Sequence, residues 1–367
     1  MKKLVSMILV GASVLSLCAC GGGSSTPATT QAPADTTAAP ADSKAEETTT
    51  AAAQEPAASG ESYTFRCSTN HAESFCTSVG LAKFAELVKE RTNGRINIEM
   101  YYDAVLGDEK SAIEQVQYGG LEFARVNISP LAEFVDGFNA LMMPYIYTSN
   151  EHFWKVHEGE IGMGMLKGED MTKAGMYGLT YYDGGTRCFY NSKKEVHTPA
   201  DMKGLTIRVQ ESSLMMGMIE ALGASPQPMP FGDVYSGLQT GVIDGAENSI
   251  AQYLEMSHYE VAPYLALDNH VRAADCLIMS EKTRQMLSAE DMEIIEAAAL
   301  ESWDYQRELW AEAETAALEQ LKDSGVTVTE LTAEEYQQFV DACASMVSGY
   351  EGGKYQPILD QIAALAD

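Results

Sequence analysis

The chain of 367 residues carries 24 Lys and Arg against 53 Asp and Glu, for a formal net charge of −29. Such an excess of negative charge argues against nucleic acid and against an anionic lipid surface as binding partners. The length allows two domains of ordinary size once the chain ends are set aside. An acidic protein that binds an anion needs a local positive pocket, so arginines away from obvious helix surfaces are of most interest, although any one of them can be a solvated surface charge.

The first twenty residues have the three parts of an export signal. Lys2 and Lys3 precede an apolar run, residues 4–17, which is too short to span a bilayer as a permanent helix. The letters that follow, LCACG, resemble a bacterial lipobox, which implies lipidation of Cys20 after cleavage. We therefore predict a signal peptide over residues 1–19, with plain secretion and cleavage elsewhere as the alternative.

The next segment has the composition of a tether. It consists mainly of Ala, Thr, Pro, Ser, Gly and acidic residues, and from residue 21 to residue 60 it contains no aromatic residue and no Ile, Leu or Val. Such a chain cannot bury enough apolar surface to offset the entropy cost of ordering it. We predict that residues 20–60 are a disordered linker between lipid and domain, with a span of roughly 35 Å.

Strand and helix patterns then alternate. Residues 63–67 alternate as a strand, residues 81–88 repeat apolar side chains at helical spacing, and residues 96–102 form a second strand pattern. A helix containing Ile113 and Val116 follows. This β-α-β-α order predicts parallel strands and an α/β domain.

The middle of the chain contains two strand patterns around a glycine pair. Residues 177–190 include Asp183-Gly184-Gly185, which predicts a turn where the chain passes from one domain to the other. Thr198 and Asp201 then form a capping box at the start of a helix.

The stretch 204–249 combines several short elements. Residues 205–209 alternate as a strand with Arg208 on the face opposite the apolar side chains, and the proline-rich run 226–230 predicts an extended segment. A short helix follows and ends at Gly241. Residues 242–243 are interpreted as a short strand, and residues 244–245 as a turn. These strand ends, helix start and turn can meet around a small polar ligand, where open α/β sheets bind their ligands.

A long uninterrupted helix is predicted near the C-terminus. Ser288 and Asp291 form a capping box, and no Gly or Pro occurs in residues 289–322, which allows a helix of roughly 50 Å. A coiled-coil seam is the alternative, but the pattern is too rich in alanine and too irregular for a sustained heptad. A further capping box at Thr332 and Glu335 begins another helix.

Motifs for catalysis and metal binding are absent from the sequence. It contains no H-E-x-x-H, no G-x-S-x-G, no Walker loop and no dinucleotide glycine fingerprint. Five cysteines beyond the lipobox have no metal-ligand spacing, and Cys67 and Cys76 are either a disulfide or buried free thiols. We predict no cofactor, no metal and no enzymatic activity.

A long ordered string resembles the solute-binding proteins of tripartite ATP-independent periplasmic (TRAP) transporters. It reads GLTIRVQES and then ALGASPQPMPFGDVYSGLQTGVIDGAENS. The segments YDGGTRCFYNS, TPADMKG and HYEVAPYLALDNH extend the match, which runs from about Tyr63 to the end of the chain. The resemblance implies an α/β, two-domain, periplasmic-binding-protein-like (Venus flytrap) fold with crossover strands and a long helix spanning both domains.

The resemblance alone also supplies the domain boundaries. It implies that residues 61–183 and 274–313 form one domain, and that residues 184–273 and 314–367 form the other. The implied function is that of an extracytoplasmic lipoprotein that acts as a monomer, captures an organic acid and delivers it to TRAP membrane subunits. An exported enzyme acting on a sugar acid is the alternative from a different class.

The same resemblance assigns the principal ligand-binding residues. It implies that Arg208 makes a two-pronged salt bridge with the ligand carboxylate, because a planar guanidinium fits a carboxylate. Arg187 is implied as the supporting arginine, and Asn248 supplies an amide. Phe231 is expected to pack against the carbon skeleton of the ligand.

Further candidates surround the rest of the ligand. His71 and Glu73 follow the first strand, Arg125 and Asn127 lie in the next strand pattern, and Tyr190 follows the glycine pair. A solvated loop position is the alternative for His71 and Glu73, and a structural ion pair with an acidic neighbour is the alternative for Arg125.

The ligand class depends on these polar residues. Arg125 could supply the second cation that a C4-dicarboxylate requires, whereas Glu73 would repel a second carboxylate and accept from hydroxyl groups. Hydroxyls could also accept hydrogen bonds from His71 or Asn127. The segment FARVNISPLAEF resembles family members associated with sugar acids. We therefore predict a hexuronate or related sugar acid, with a C4-dicarboxylate as the alternative.

Overall fold

The computed structural model describes residues 60–366. The predicted signal peptide, the lipidation site Cys20 and nearly all of the predicted linker lie outside these residues. None of the helices within residues 60–366 is both long and apolar enough to cross a membrane.

A mixed sheet of nine strands organises the described part of the chain. The strands are β1 (Tyr63–Ser68), β2 (Ile96–Tyr101), β3 (Phe123–Asn127), β4 (Met176–Asn191), β5 (Thr206–Val209), β6 (Ser225–Pro228), β7 (Gly245–Ser249), β8 (Tyr264–Ser280) and β9 (Thr327–Thr329). Their order is β2-β1-β3-β8-β4-β7-β5-β6, and β9 pairs with β8.

Helices connect and cover the strands. They are α1 (Cys76–Arg91), α2 (Glu109–Tyr118), α3 (Ile128–Leu131), α4 (Asn150–Glu158), α5 (Glu160–Leu166), α6 (Glu169–Lys173), α7 (Pro199–Met202), α8 (Ser213–Ala221), α9 (Val234–Thr240), α10 (Ile250–Glu255), α11 (Glu281–Met286), α12 (Ala289–Leu321), α13 (Ala333–Gly349) and α14 (Gln356–Ala363). Short 3₁₀ helices occupy Asp136–Met142, Phe231–Asp233, His258–Glu260 and Tyr350–Gly353.

Two parallel groups of strands flank an antiparallel centre. Strands β1, β2 and β3 pair in parallel on one side, and β5 pairs in parallel with β6 and β7 on the other. The long strands β4 and β8 pair antiparallel along most of their length and join the two groups. The predicted parallel α/β opening and the predicted crossover strands are confirmed. The domain boundaries remain predictions.

The glycine pair in the middle of β4 does not form the predicted turn. The strand is continuous, and its pairing with β8 shifts register between Asp183 and Thr186. Gly185 has a φ of +79°, and a Cβ there would lie 2.6 Å from the ring of Trp310. The glycines therefore permit a bulge pressed against α12 rather than a reversal of the chain.

The predicted short strand at 242–243 and the turn at 244–245 are also wrong. Val242 is exposed, and the strand β7 begins at Gly245. The carboxylate of Asp244 accepts a hydrogen bond from the backbone N–H of Thr206 at 2.9 Å, which ties this loop to β5. A Cβ on Gly245 would lie 2.4 Å from the carbonyl oxygen of Tyr190, so this glycine serves close strand packing.

The long helix and the capping boxes at Thr198 and Thr332 are confirmed. Helix α12 has 33 residues, and Ser288 begins it as a simple N-cap rather than the predicted capping box: its hydroxyl accepts from the N–H of Asp291 and lies 2.9 Å from the Asp291 carboxylate. Its first half contributes Trp303 to one hydrophobic core cluster, and its second half contributes Trp310 to another. The helix therefore connects both clusters. The five cysteines in the described residues are buried and free, so the Cys67–Cys76 disulfide is not formed.

Candidate functional site

A narrow cavity lies at the carboxyl ends of the parallel strands. Seven of the nine predicted ligand contacts line it: His71, Arg125, Asn127, Arg187, Arg208, Phe231 and Asn248. Strands β3, β4, β5 and β7 supply five of these side chains. The fold thus gathers residues that are far apart in the sequence around one small space.

Arg208 is a buried cation without a carboxylate partner. It is 2% exposed on β5, and its Nε and Nη2 atoms donate to the carbonyl oxygen of Met229 at 2.9 and 2.7 Å. Burial lowers the pKa of its guanidinium below the ordinary value. Arg125 and Arg187 each have a carboxylate partner, whereas no carboxylate in residues 60–366 lies within salt-bridge distance of Arg208. An unpaired buried charge is costly, so this position favours an anion.

Arg187 is already neutralised by Glu247. Its Nε and Nη2 atoms donate to the Glu247 carboxylate, and its Nη1 donates to the side-chain oxygen of Asn248 at 2.9 Å. Burial opposes ionisation of Glu247, but Arg187 and His270 outweigh it and lower its pKa to about 2. Because Arg187 and the N–H of Ser249 occupy the amide oxygen of Asn248, the amide NH₂ remains as a donor to a ligand.

His270 extends this buried chain of charges. Its Nδ1 lies 2.8 Å from Asp268, and its Nε2 lies 3.3 Å from Glu247. Burial lowers the pKa of His270, but the two carboxylates outweigh this and raise it to about 9. The charges along Arg187, Glu247, His270 and Asp268 therefore alternate in sign, which fixes the orientation of Arg187 and Asn248.

Arg125 forms the structural ion pair that was the alternative to a ligand contact. Its Nη1 donates to Glu109 at 2.6 Å, and its Nε lies 3.6 Å from Asp275. Asn127 donates to Asp275 at 2.8 Å, and its side-chain oxygen caps α3 by accepting from the N–H of Ser129. Burial raises the pKa of Asp275 to about 6, with Arg125 opposing this and Glu109 adding to it. This end of the cavity therefore carries no surplus positive charge.

Aromatic contacts hold His71 at the cavity. Its ring stacks on Phe75 with a centroid distance of 4.7 Å and lies 5.5 Å from Phe231. His71 is 3% exposed, so it is not a solvated loop residue.

Glu73 and Tyr190 are not brought into the cavity. Glu73 is exposed to solvent, and Tyr190 is buried with its hydroxyl 2.8 Å from Nδ1 of His258. Neither side chain lines the space around Arg208. The carboxylates that face a ligand there belong to Glu109 and Asp275, not to Glu73.

Sequence reasoning missed five cavity residues: Asn70, Glu109, Gln210, Gln252 and Asp275. The sequence held a signal for two of them. Asn70 is adjacent to the predicted contact His71, and Gln210 lies two positions after Arg208 at the end of the same strand. Asp275 had no comparable signal, since it lies within an apolar stretch of β8 and its partners come from β3.

Several buried polar atoms of the lining residues make no hydrogen bond. Within residues 60–366, these atoms are the side-chain oxygens of Asn70 and Gln210, Nδ1 of His71, and Nε of Arg125 and Oδ2 of Asp275, which form an ion pair at 3.6 Å. Amide groups can rotate to present either oxygen or NH₂, but an ionised carboxylate can only accept. The Asp275 oxygen that accepts no hydrogen bond therefore favours a ligand with hydrogen-bond donors.

A larger depression elsewhere is a poorer site for an anion. It has a volume of ≈ 1100 Å³ and lies against α12. Its two arginines are engaged, because Arg272 pairs with Asp183 at 2.6 Å and Arg307 pairs with Glu158 at 2.5 Å. No surplus cation is left among the described residues that line it.

Comparison with known proteins finds a family model and solved structures that are similar to this chain. Residues 67–352 match the model of the bacterial extracellular solute-binding protein, family 7. A TRAP periplasmic solute-binding protein from Sulfitobacter sp. NAS-14.1, solved with bound β-D-galacturonate, has a TM-score of 0.77 and 35% identity, over 83% of this chain and 99% of that one. One from Roseobacter denitrificans, solved with bound β-D-glucuronate, has a TM-score of 0.79 and 34% identity, over 82% and 99%.

A relative with a different ligand is also similar. The C4-dicarboxylate-binding periplasmic protein DctP of Rhodobacter capsulatus is 33% identical over 70% of this chain and 77% of its own length. Fold and sequence thus agree over most of the described chain. The chain belongs to the bacterial extracellular solute-binding proteins of family 7, the solute receptors of TRAP transporters.

Proposed function

We propose that this receptor captures a hexuronate or a related hydroxylated sugar acid and delivers it to the membrane subunits of a TRAP transporter. The observation that carries the proposal is the pairing of one free cation, Arg208, with unpartnered hydrogen-bonding atoms in the same small cavity. A sugar acid has one carboxylate that can bind Arg208 and several hydroxyls that can bind the other polar atoms.

The carboxylate end of the ligand is assigned to Arg208. A planar guanidinium can bind both oxygens of a carboxylate. Arg208 has no carboxylate partner within residues 60–366, so its guanidinium can bind the carboxylate of a ligand. The NH₂ group of Asn248 lies in the same lining and can donate to the same carboxylate. Phe231 lines the cavity as well and offers an apolar surface to the sugar carbons.

The far end of the ligand is assigned to hydroxyl groups. A second carboxylate would need a second free cation, but Arg125 is already held by Glu109 and lies beside Asp275. A hydroxyl can donate to the Asp275 oxygen that accepts no hydrogen bond, whereas a carboxylate at that position would be repelled. The hexuronates bound by the two solved relatives fit this arrangement better than a C4-dicarboxylate does.

We further propose that the chain is a receptor without catalytic activity. The two acidic residues that line the cavity, Glu109 and Asp275, both pair with Arg125, and Glu247 pairs with Arg187 and His270. Mass spectrometry of glucuronate recovered after incubation with the protein separates this proposal from an exported sugar-acid enzyme. Unchanged ligand is expected, and conversion to a new product would overturn the proposal.

The location is proposed from the sequence. Lipidation of Cys20 would hold a monomeric receptor at the outer face of the membrane through the tether. Cys20→Ser is expected to release the protein into the soluble fraction on cell fractionation. Retention of this variant in the membrane fraction would contradict the anchor.

A direct ligand comparison tests the sugar-acid assignment. Glucuronate and galacturonate are compared with succinate and malate by titration calorimetry on the same protein preparation. At least one uronate is expected to bind more than about tenfold more tightly than either dicarboxylate, a difference of ~1.4 kcal/mol. Tight succinate binding with no response to either uronate would overturn the assignment.

A further inference from the structure

His71 lies between the ligand cavity and a second ionisable side chain, Glu255. Its Nδ1 is 3.5 Å from a carboxylate oxygen of Glu255 at the end of α10. Its Nε2 is 3.3 Å from the side-chain nitrogen of Gln252. His71 and Gln252 line the cavity, whereas Glu255 lies behind them and lines a shallow groove beside α12.

The carboxylate of Glu255 has no hydrogen-bond partner within the described chain. Both of its carboxylate oxygens are buried and make no hydrogen bond within the described chain, and Nδ1 of His71 makes none either. Helix α12 presents no charged group to the groove, only alanines and Gln320. The ionisable groups that face Glu255 are His71, Cys76, Asp103 and Arg125.

These surroundings favour uncharged forms of both side chains. Burial raises the pKa of Glu255 to about 8, with Arg125 opposing the rise and Asp103 adding to it. Burial, reinforced by Arg125, lowers the pKa of His71 well below its ordinary value. An imidazolium–carboxylate pair is therefore disfavoured, and one proton on Glu255 accompanies a neutral imidazole at neutral pH.

Only two hydrogen-bonding patterns satisfy this set of atoms. When Glu255 is protonated, it donates to Nδ1 of His71, so the imidazole proton resides on Nε2 and the amide oxygen of Gln252 turns toward it. When the pair loses one proton, the remaining imidazole proton resides on Nδ1 and is donated to the carboxylate. Nε2 is then a bare acceptor, and Gln252 turns its NH₂ group toward it.

We propose that Glu255 is a positioning residue whose proton selects the tautomer of His71, and thereby decides whether Gln252, which bonds Nε2 of His71, turns its NH₂ group or its oxygen toward the ligand site. The proposal deepens the sugar-acid function and rests on it for the choice of probe. Because the deprotonated pair also places a negative charge near an anionic ligand, binding weakens as Glu255 ionises.

The first arm of the test reads the tautomer directly. The protein is labelled with ¹⁵N-histidine, saturated with D-glucuronate and examined by ¹H–¹⁵N NMR of the imidazole rings at pH 6.5 and 9.5, with His71→Phe used to assign the signal. Nε2 of His71 is expected to be pyrrole-like at pH 6.5 and pyridine-like at pH 9.5. In Glu255→Gln the pyrrole-like form is expected at both values, because the amide can donate to Nδ1 at any pH.

The second arm measures affinity over the same pH range. Glucuronate binding to the wild type is expected to weaken by about fivefold between pH 6.5 and 9.5, the scale of one hydrogen bond, and to stay within about twofold in Glu255→Gln. Glu312→Gln, an exposed change on α12, is expected to behave as the wild type does. Melting curves of each variant check that it is folded.

Two results would overturn the role of Glu255. One is an unchanged His71 tautomer in the wild type across this range. The other is a pH dependence in Glu255→Gln that equals that of the wild type. If glucuronate fails to bind, the sugar-acid assignment fails, and the same NMR series repeated with succinate still decides the role of Glu255.

Discussion

The three arginines that line the cavity differ in their counter-charges, and this difference defines the ligand. Arg187 is paired with Glu247, and Arg125 is paired with Glu109 beside Asp275. Arg208 has no carboxylate partner within residues 60–366 and donates to a backbone carbonyl instead. A single ligand carboxylate therefore completes the charge balance of the cavity, and a second one would exceed it.

Asp275 is the residue that we expect to separate sugar acids from dicarboxylates. Asp275→Asn keeps the shape of the side chain but removes its negative charge. It also replaces one of the two acceptor oxygens with an NH₂ donor. Glucuronate binding is expected to weaken by about 1–2 kcal/mol, while succinate binding improves because the repulsion is lost. Calorimetry with both ligands measures the change. The exposed Asp304→Asn is the control, and an unchanged ratio of the two affinities in Asp275→Asn would contradict the assignment.

His270 makes stability depend on pH in a predictable direction. Its folded-state pKa of about 9 lies above the ordinary value. The contribution of His270 to the free energy of unfolding is therefore complete below about pH 6.5 and is lost as the pH rises through 9. The difference in unfolding free energy between the wild type and His270→Gln is therefore expected to shrink by up to about 3 kcal/mol over that interval. Urea denaturation at several pH values measures it, and a constant difference would refute the charged state of His270.

At the scale of elements, local patterns predicted helices better than strand ends. The capping boxes and apolar spacing located α1, α12 and α13 because these signals act within one or two helical turns. The glycines of β4 and β7 were misread as turns because their role is close packing against α12 and against β4, and those neighbours lie far away in the sequence. Arg208 could be assigned from the sequence because it lies in the string that resembles the TRAP receptors. Asp275 could not, because its partners Arg125 and Asn127 lie on β3, far away in the sequence.

Gly185 tests whether the bulge in β4 is required by packing. A methyl group there would meet Trp310 at 2.6 Å and Ser249 at 2.7 Å, and φ is +79°. Gly185→Ala is expected to lower the unfolding free energy by about 2–4 kcal/mol, as crowding adds to backbone strain. Gly223→Ala is the matched control, because Gly223 has a φ of +83° but no heavy atom within 4 Å of the added methyl. Equal losses in the two variants would show that packing at Gly185 is unimportant.

At the scale of the whole molecule, recognition resides in the folded part of the chain. Every cavity residue lies between Asn70 and Asp275, and α12 contacts both core clusters that surround them. The predicted lipid anchor and tether contribute none of these residues. Their proposed role is to hold the receptor near its membrane partners.

A truncated chain tests this separation of location from recognition. A protein beginning at residue 61 is expected to bind glucuronate within about twofold of the full mature chain, because the linker composition cannot support a folded contact. Calorimetry on the two forms under identical conditions makes the comparison. Clear loss of affinity in the shorter form would mean that the linker takes part in binding.

The most direct test of the account is the affinity of Arg208→Lys for glucuronate. Lysine keeps the positive charge but loses the planar fork, so binding is expected to weaken by at least about a hundredfold, with Arg208→Ala costing on the order of 3–5 kcal/mol. Arg95→Lys, a mostly buried arginine paired with Asp291 outside the cavity, is expected to bind as the wild type does. Calorimetry on folded protein measures these affinities. The assignment of Arg208 as the carboxylate clamp would be contradicted if Arg208→Lys bound glucuronate within a factor of a few of the wild type.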